Sequence, residues 1–381
     1  MRKILLLSRF FTPGYKAGGA LRTVSNIVET ASPRVTFHVI TSDRDLGDES
    51  AYQNVPIDTW VPNGHSKVMY SSRPVREAYR QLKRERYDGI YLNSFFSFRY
   101  SIVPLILAKL VAKNTRILLA PRGEFSRSAL KIRKTKKRIY LFMVRQFSTY
   151  ATVHWHASAQ HESDDIRRVL AVPEREISTV PDILALKNFD EKVVNLPAPR
   201  DCDALKICCI SRVSKMKNIE FSISVISRLT CPAVFTLAGP AEDKEYLEKC
   251  LNLTEQLPEN IKFEYVGALK NHEVLEVFSN NHVFLLPTLG ENFGHVIIES
   301  LSVGTPVLIS NQTPWRDLEK LGVGWDLPIK SETNFVSVLE NLFEIPEDNY
   351  YELRRNAYLY AVEISGRETV AAMDQLLLSE W

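Results

Sequence analysis

Apolar runs of strand length alternate with amphipathic stretches of helix length along this chain, and the alternation runs twice. In the first half, strands are predicted at Lys3–Ser8, Val35–Thr41, Gly89–Asn93, Arg116–Pro121 and Thr152–Ala157. Helices are predicted between them at Leu21–Thr30, Val75–Glu85, Val103–Ala112 and Ser128–Phe147. The second half predicts strands at Leu205–Ser211, Val234–Ala238, Lys262–Val266, Val283–Pro287 and Val307–Ser310. Its helices are predicted at Asn218–Leu229, Lys244–Leu251, Glu273–Ser279, Gly294–Val303, Glu332–Phe343 and Tyr350–Glu363. Such alternation argues for mainly parallel sheets with helices on both faces. Between the halves, Leu184–Leu205 is rich in Pro and Asp and poor in periodicity, as a linker is. The expected organisation is a first domain over residues 1–190 and a second over 200–365. The last helical pattern, with Val370, Met373, Leu376 and Leu377 at helical spacing, falls in 366–381. In doubly wound sheets ligands bind beyond the carboxyl ends of the strands, so the cleft between two such units is the first place to look.

Composition narrows the class. With 45% hydrophobic and 24% charged residues over 381 positions, the chain is ordinary globular protein and not a disordered or low-complexity one. No apolar run reaches the ~18 residues of a membrane span; the best, Ser101–Ala112, contains Lys109. The opening MRKILLLSRF has an apolar run too short for a secretory core and reads as a first strand. Five cysteines with no CxxC pair argue against a disulfide framework or a zinc site, and fit a reducing cytoplasm. The net charge of +3 hides an asymmetry. Residues 1–190 hold 31 Lys+Arg against 17 Asp+Glu, a balance of +14, and residues 191–381 balance to −11. A basic half favours an anionic surface or substrate.

Three stretches could carry chemistry. The loop FTPGYKAGGALRT after the first strand offers Gly14, Gly18 and Gly19, where backbone can approach a ligand and the next helix presents free N–H groups. It is not a GxGxxG fingerprint, and taken alone an ordinary strand–helix turn is the more natural reading. At Ser211–Asn218, Arg212 and Lys217 lie five apart at a strand-to-helix junction, where a fork and a point charge could clamp a diphosphate. A solvated loop is the alternative. In Phe284–Ser310 a buried strand ends at Pro287, a loop carries Glu291, Asn292, Phe293 and Gly294, and a helix carries Glu299. Carboxylates accept bonds from sugar hydroxyls, and first-turn N–H groups bind sugar or phosphate oxygens. A capped core helix would leave the same pattern.

Glu291-x7-Glu299 within ENFGHVIIE, followed by GTPV, resembles the signature of retaining GT-B glycosyltransferases of glycosyltransferase group 1 (family 4). The resemblance extends over most of the chain. It takes in the glycine loop, Arg212 with Lys217, Ala238-Gly239-Pro240 and Val266-Gly267. APRGE and TPWRDLEKLGVGW further resemble a subgroup among bacterial surface-polysaccharide enzymes. The resemblance implies an α/β GT-B fold: two Rossmann-like doubly wound domains facing a central cleft, with the final helix packing back on the first. It also implies site roles. Glu299 would bind the donor ribose, and Arg212 and Lys217 the diphosphate. Glu291 and the amides of Asn292, Phe293 and Gly294 would hold the donor sugar, while Gly18, Gly19 and Gly267 would line the donor site. Asn218 departs from the family pattern, which often has Gly there. Where relatives place a histidine in the first domain, this chain has Asn93 at one such place and Arg122 at another; Arg122 is the candidate to replace it. No cofactor and no metal are implied.

Two DxD patterns, Asp43–Asp45 and Asp201–Asp203, read as turn residues rather than metal ligands. His154 and His156 read as satisfied core or surface histidines. The segment Arg127–Arg145 holds eight Lys+Arg and no acid, interleaved with Leu130, Ile139, Phe142, Met143 and Val144. It reads as a helix on an anionic membrane leaflet, as a groove for a diphosphate-bearing acceptor, or as a solvated face. The expectation is therefore a metal-independent glycosyltransferase. It would move a sugar from a nucleotide-sugar donor to a glycan acceptor, lipid-linked, at the inner face of a bacterial membrane. Other GT-B activities, a phosphorylase or an epimerase, leave ENFGHVIIE unexplained. A basic membrane- or nucleic-acid-binding protein leaves the two glutamates unexplained, and Arg127–Arg138 lacks the aromatics on which nucleic-acid bases stack.

Overall fold

The computed structural model describes residues 1–126, 129–130, 134–146, 150–183, 203–365 and 367–379. The linker expected at Leu184–Leu205 lies almost wholly outside them. So do parts of the basic segment, at 127–128 and 131–133, and Asp201 with Cys202. The chain divides into two compact units, Met1–Ala185 with Gly366–Trp381, and Leu186–Ser365.

The first unit runs β1 (Arg2–Leu7), α1 (Gly19–Thr30), β2 (Val35–Ser42), β3 (Trp60–Asn63), β4 (Ser66–Ser71) and α2 (Pro74–Arg84). It continues with β5 (Gly89–Asn93), α3 (Val103–Val111), β6 (Arg116–Ala120), α4 (Lys134–Gln146), β7 (Val153–Ala157), α5 (Gln160–Leu170) and β8 (Ile177–Thr179). The strand order is β3-β4-β2-β1-β5-β6-β7-β8, parallel apart from β3 against β4. Strands buried on both faces read as continuous apolar runs, and Ile4–Leu7 does so. Leu5, Leu7, Leu92, Leu119 and Trp155 face a core shared with α2, α3, α4 and α5. Ile4, Leu6, Val39 and Leu118 face α1 on the other side. There they meet Met373, Leu376 and Leu377 of the chain's last helix, Arg367–Leu378. Asp374 Oδ1 of that helix accepts from Ser32 N–H at 3.1 Å.

The second unit runs β9 (Leu205–Ile210), α6 (Ile219–Ile226), β10 (Ala233–Ala238), α7 (Lys244–Thr254), β11 (Ile261–Gly267), α8 (Asn271–Ser279) and β12 (Val283–Leu286). Then come α9 (His295–Ser302), β13 (Val307–Ser310), β14 (Gly324–Leu327), α10 (Glu332–Phe343) and α11 (Glu347–Ile364); the last helix of the chain is α12. The sheet is parallel, in the order β11-β10-β9-β12-β13-β14. Counted within the unit this is 3-2-1-4-5-6, so the winding reverses between β9 and β12.

The sequence reading missed β3, β4, β8, β14 and α5. β3 is four residues with an interior Pro62, which only an edge strand tolerates. α5 opens on QHESDD, and part of what it buries is polar: Glu162 accepts from Ser158 N–H and Oγ, both at 2.7 Å, and from Gly123 N–H at 2.5 Å. The helix expected at Gly294–Val303 begins at His295, because Gly294 is its left-handed N-cap with φ 82°. Among the described residues no helix is long and apolar enough to cross a membrane.

Candidate active site

The loops after β9, β12 and β13 are laced together at the winding reversal of the second sheet. Met216 O accepts from Leu289 N–H at 2.8 Å and from Thr288 Oγ1 at 3.0 Å, tying the loop after β12 to the loop after β9. Glu291 N–H donates to Gln312 O at 3.1 Å, tying it to the loop after β13. Ser310 Oγ donates to Thr288 O. These bonds fix the loops from which the predicted residues project.

Lys217 and Glu291, 74 residues apart in sequence, form an ion pair, with side chains only 12% and 13% exposed. Lys217 ends a short 3-10 turn that closes on Asn218, whose backbone is left-handed with φ 56°. That conformation is the one glycine adopts freely and asparagine tolerates. Asn218 thus satisfies the same backbone requirement as the glycine it replaces. Its Nδ2 also donates to Pro287 O at 3.1 Å, another tie between the two loops.

Arg212 stands in the same loop but is half exposed, and it pairs with Glu242 at 2.9 Å rather than with Lys217's partner. Surface pairs of this kind contribute ~0–1 kcal/mol, so the guanidinium is readily exchanged to an anion. The strand end that positions it depends on Gly239. A Cβ there would lie 1.8 Å from Ser211 O, and φ is +139°. Gly239 N–H donates to Gly267 O at 2.7 Å, and Gly239 O accepts from Tyr265 Oη at 2.8 Å. Gly267 itself, φ +72°, has open space where a Cβ would be.

Glu299 lies on α9, 6% exposed, one turn beyond the helix start. Asn292, Phe293 and Gly294 form the turn into that helix, whose first N–H groups have no intrahelical acceptors. Phe293 O is held by Trp315 Nε1 at 2.6 Å, and the Trp315 and Phe293 rings lie 5.6 Å apart edge to face. Glu242 was not singled out from sequence, and Trp315 stood there only within TPWRDLEKLGVGW, without a role. Trp315 lies 22 residues beyond its partner and Glu242 lies 30 beyond Arg212, with no periodicity to link either pair.

In the first unit, Gly18 is the left-handed N-cap of α1 with φ 65°, and Gly19 is the first residue of that helix. The loop before them is pinned by Asp45, whose Oδ2 accepts from Tyr15 N–H at 2.7 Å and Lys16 N–H at 3.1 Å. Asp43 binds Arg44 at 2.9 Å. Both acids of the first DxD pattern are therefore engaged by protein groups, Asp43 by its neighbour Arg44 and Asp45 by the loop after β1. Among the described residues no group of three or more His, Cys, Asp or Glu could hold a metal.

Arg122 is placed at the carboxyl end of β6, with left-handed φ 54° and a side chain 7% exposed. Its Nη1 pairs with Asp182 Oδ1 at 2.5 Å, Nε donates to Asn93 Oδ1 at 2.8 Å, and Nη2 donates to Tyr91 Oη at 2.7 Å. Tyr91 Oη lies 2.6 Å from His156 Nδ1, and His156 Nε2 lies 2.9 Å from Val180 O. A carbonyl only accepts, so Nε2 carries the proton and Nδ1 accepts from Tyr91. Burial holds His156 neutral, its pKa lowered to about 3. Asp182 Oδ2 also accepts from Thr23 Oγ1 at 2.9 Å. Arg122 thus anchors the strand ends, with its fork already engaged by protein. His154 bonds Ser178 Oγ at 2.8 Å.

Residues 198–361 match the family model described as glycosyl transferases group 1. Over those residues the chain is similar to that family. The match spans almost the whole second unit, including Arg212, Lys217, Glu291 and Glu299. The chain is 31% identical over 146 residues to the phosphatidylinositol N-acetylglucosaminyltransferase gpi3 subunit of Schizosaccharomyces pombe, covering 38% of this chain and 30% of that protein. It is 23% identical over 247 residues to the UDP-Gal:alpha-D-GlcNAc-diphosphoundecaprenol alpha-1,3-galactosyltransferase of Escherichia coli, covering 61% and 60%. The chain thus spans less than two thirds of either relative. Among solved structures, Anabaena HepE in complex with UDP and glucose aligns over 99% of this chain and 98% of its own, with TM-score 0.69 at 14% identity. The fold is GT-B.

Proposed function

We propose that this chain is a retaining glycosyltransferase that moves a sugar from a nucleotide-diphosphate donor to a lipid-linked glycan acceptor in bacterial polysaccharide biosynthesis. No metal is needed in this reading. The observation that carries it is the meeting of Lys217 and Glu291 at the winding reversal of the second sheet, with Arg212 in the same loop and Glu299 on the helix that follows. Glu299 accepts from the ribose hydroxyls. Arg212 and Lys217 hold the diphosphate. Glu291 and the turn at Asn292–Gly294 hold the sugar. The acceptor hydroxyl forms its bond to the anomeric carbon on the face from which the diphosphate departs. The anomeric carbon–phosphate oxygen bond breaks, and the acceptor's proton passes to the departing phosphate oxygen. Charge grows on that phosphate in the transition state, so preorganised cations are the protein's main contribution. The engaged fork of Arg122 makes it a positioning residue that fixes the first unit's strand ends. The HepE structure, which holds UDP, and the UDP-galactose named for the Escherichia coli relative support a uridine nucleotide as the first probe. That relative's diphosphoundecaprenol acceptor supports a lipid-linked one, and with it a place on the inner face of the membrane.

The test is a thermal-shift screen with UDP, GDP and ADP. A ligand at 100 times its Kd stabilises by ~2.7 kcal/mol. Glu299→Ala should lose that shift while keeping its unliganded melting temperature, because a hydrogen bond to a charged acceptor contributes ~1.5–3 kcal/mol. A folded Glu299→Ala protein with the wild-type nucleotide shift refutes the assignment.

A further inference from the structure

The sheet face of the first unit that is covered by α2, α3, α4 and α5 has an outer surface that the donor chemistry does not use. From Gly89 to His161 the sequence has thirteen Lys+Arg and a single carboxylate, Glu124. That carboxylate is engaged by the protein: it accepts from Ser94 Oγ at 2.7 Å and from the N–H groups of Phe95 and Phe96 at 2.6 and 2.9 Å. Arg122 pairs with Asp182 outside the stretch, while Arg99, Lys113, Lys136 and Arg138 are exposed to solvent. The stretch also holds seven of the fourteen exposed large hydrophobic side chains among the described residues.

Six of those seven fall on two helices that fill successive crossovers. Ile106, Leu110 and Val111 lie on α3, between β5 and β6, with Phe98 just before it. Ile139, Phe142 and Met143 lie on α4, between β6 and β7. Ile106 and Leu110 are four apart; Ile139, Phe142 and Met143 are spaced by three and four. Each set is one stripe of its helix. The inward stripes are accounted for separately: Leu105 and Ala108 of α3 and Val144 of α4 are buried in the core. Arg99, Lys113, Lys136 and Arg138 are exposed beside the outer stripes. Between α2 and α3 a groove of 610 Å³ is lined by Arg73, Arg76 and Arg99 together with Val75, Tyr79 and Leu107.

A solvated basic face has no need of large exposed apolar side chains, which are rare in contiguous patches on soluble proteins. An interface between copies would set exposed cations against one another. Apolar stripes flanked by the exposed cations Arg99, Lys113, Lys136 and Arg138 match an anionic bilayer, where rings and aliphatic chains enter the boundary and Lys and Arg reach the headgroups. We propose that the outer surface of α3 and α4, with the arginine-lined groove beside α3, docks this chain on an anionic phospholipid membrane. The proposal rests on the reading of a lipid-linked acceptor only for its purpose; the surface itself is read from charge and exposure.

The experiment is co-sedimentation of the full chain with phosphatidylglycerol-containing vesicles and with pure phosphatidylcholine vesicles, at low and high salt. The expected result is binding to the anionic vesicles that weakens with salt, since exposed charges are screened over ~8–10 Å. Lys113→Gln, Lys136→Gln and Arg138→Gln together should lower that binding roughly 100-fold, at about fivefold per near-surface cation. Phe98→Ser with Leu110→Ser should lower binding while leaving the charge unchanged. The changed side chains are exposed, and an unaltered thermal melt checks the fold. Wild type left in the supernatant with anionic vesicles overturns the proposal. So does wild type that pellets without vesicles, or a Phe98→Ser, Leu110→Ser protein that binds like wild type. Vesicle binding with no nucleotide shift would refute the proposed transferase and leave the docking surface standing; the reverse result would do the opposite.

Discussion

Glu291 and Lys217 are both assigned to the donor, yet in the ligand-free chain they hold each other. The diphosphate must therefore displace a carboxylate from the lysine or accommodate it nearby. A carboxylate ~5 Å from a phosphate charge, at an effective dielectric of ~20, opposes it by ~3 kcal/mol per unit charge before further screening. Both side chains are nearly buried, so much of that remains. A sugar nucleotide compensates, because its hydroxyls donate to the carboxylate. A free nucleoside diphosphate brings no such donors. Glu291 should therefore act against the product more than against the donor. We predict that Glu291→Gln binds UDP, or whichever nucleoside diphosphate stabilises the wild type, about tenfold tighter, corresponding to ~1.4 kcal/mol. The same variant should bind the sugar nucleotide several-fold less tightly relative to UDP than wild type does. A neutral amide makes hydrogen bonds worth ~0.5–1.5 kcal/mol where a carboxylate's are worth ~1.5–3. Isothermal titration of UDP and UDP-sugar into both proteins reads the two numbers, and Lys217→Met should weaken UDP binding in either background. If folded Glu291→Gln binds UDP no tighter than wild type, the competition argument is wrong. A wild type that binds no nucleotide removes the donor reading instead.

Arg212→Ala and Lys217→Ala should each lower kcat more than they raise the donor's KM, because phosphate charge grows toward the transition state; a pure KM effect refutes that ranking. Gly239→Ala should lower stability by ~3 kcal/mol or more, since its Cβ would meet Ser211 O at 1.8 Å, while Gly267→Ala, with open space, should cost ~1–2 kcal/mol for its positive φ. Equal urea midpoints for those two variants would refute the close-approach argument. Burial lowers the folded pKa of His156 to about 3 and of His38 to about 4, both below the ordinary 6.5. The unfolded chain therefore binds protons that the folded chain does not, and stability should be full above pH 6.5 and fall as pH drops toward 4. The slope is at most ~1.4 kcal/mol per pH unit for each histidine. Urea unfolding at several pH values should show a shallower slope for His156→Asn, and an unchanged slope refutes the assignment.

What the sequence made legible was local, and what it withheld was partnership across distance. Gly239, Lys217, Glu291 and Glu299 sit at strand ends and helix starts, where the backbone demands certain residue types within a few positions. Asn218 looked like a departure only because residue identity was compared. Its φ of 56° shows that the position asks for left-handed backbone, which asparagine supplies. Arg122 could be ranked as a catalytic candidate because its partners were invisible. Asp182 lies 60 positions downstream, and Asn93 and Tyr91 lie upstream on the neighbouring strand. Once they are seen, the arginine's fork is committed to the fold. The basic stretch shows a different limit. From Arg127–Arg145 alone, the membrane reading was favoured but acceptor groove and solvated face stayed open, because a helix's outward stripe cannot be assigned until its inward stripe is known. Val144 buried, with Ile139, Phe142 and Met143 exposed, makes that assignment for α4. The same test on α3, which the sequence reading gave only as a helix too short and too polar to span a membrane, exposes Ile106 and Leu110 beside Lys113. A helix whose buried and exposed stripes are both apolar has more apolar surface than its own sheet can cover. On α3 and α4 the surplus coincides with the exposed cations Lys113, Lys136 and Arg138, and a partner for that surface must satisfy both at once.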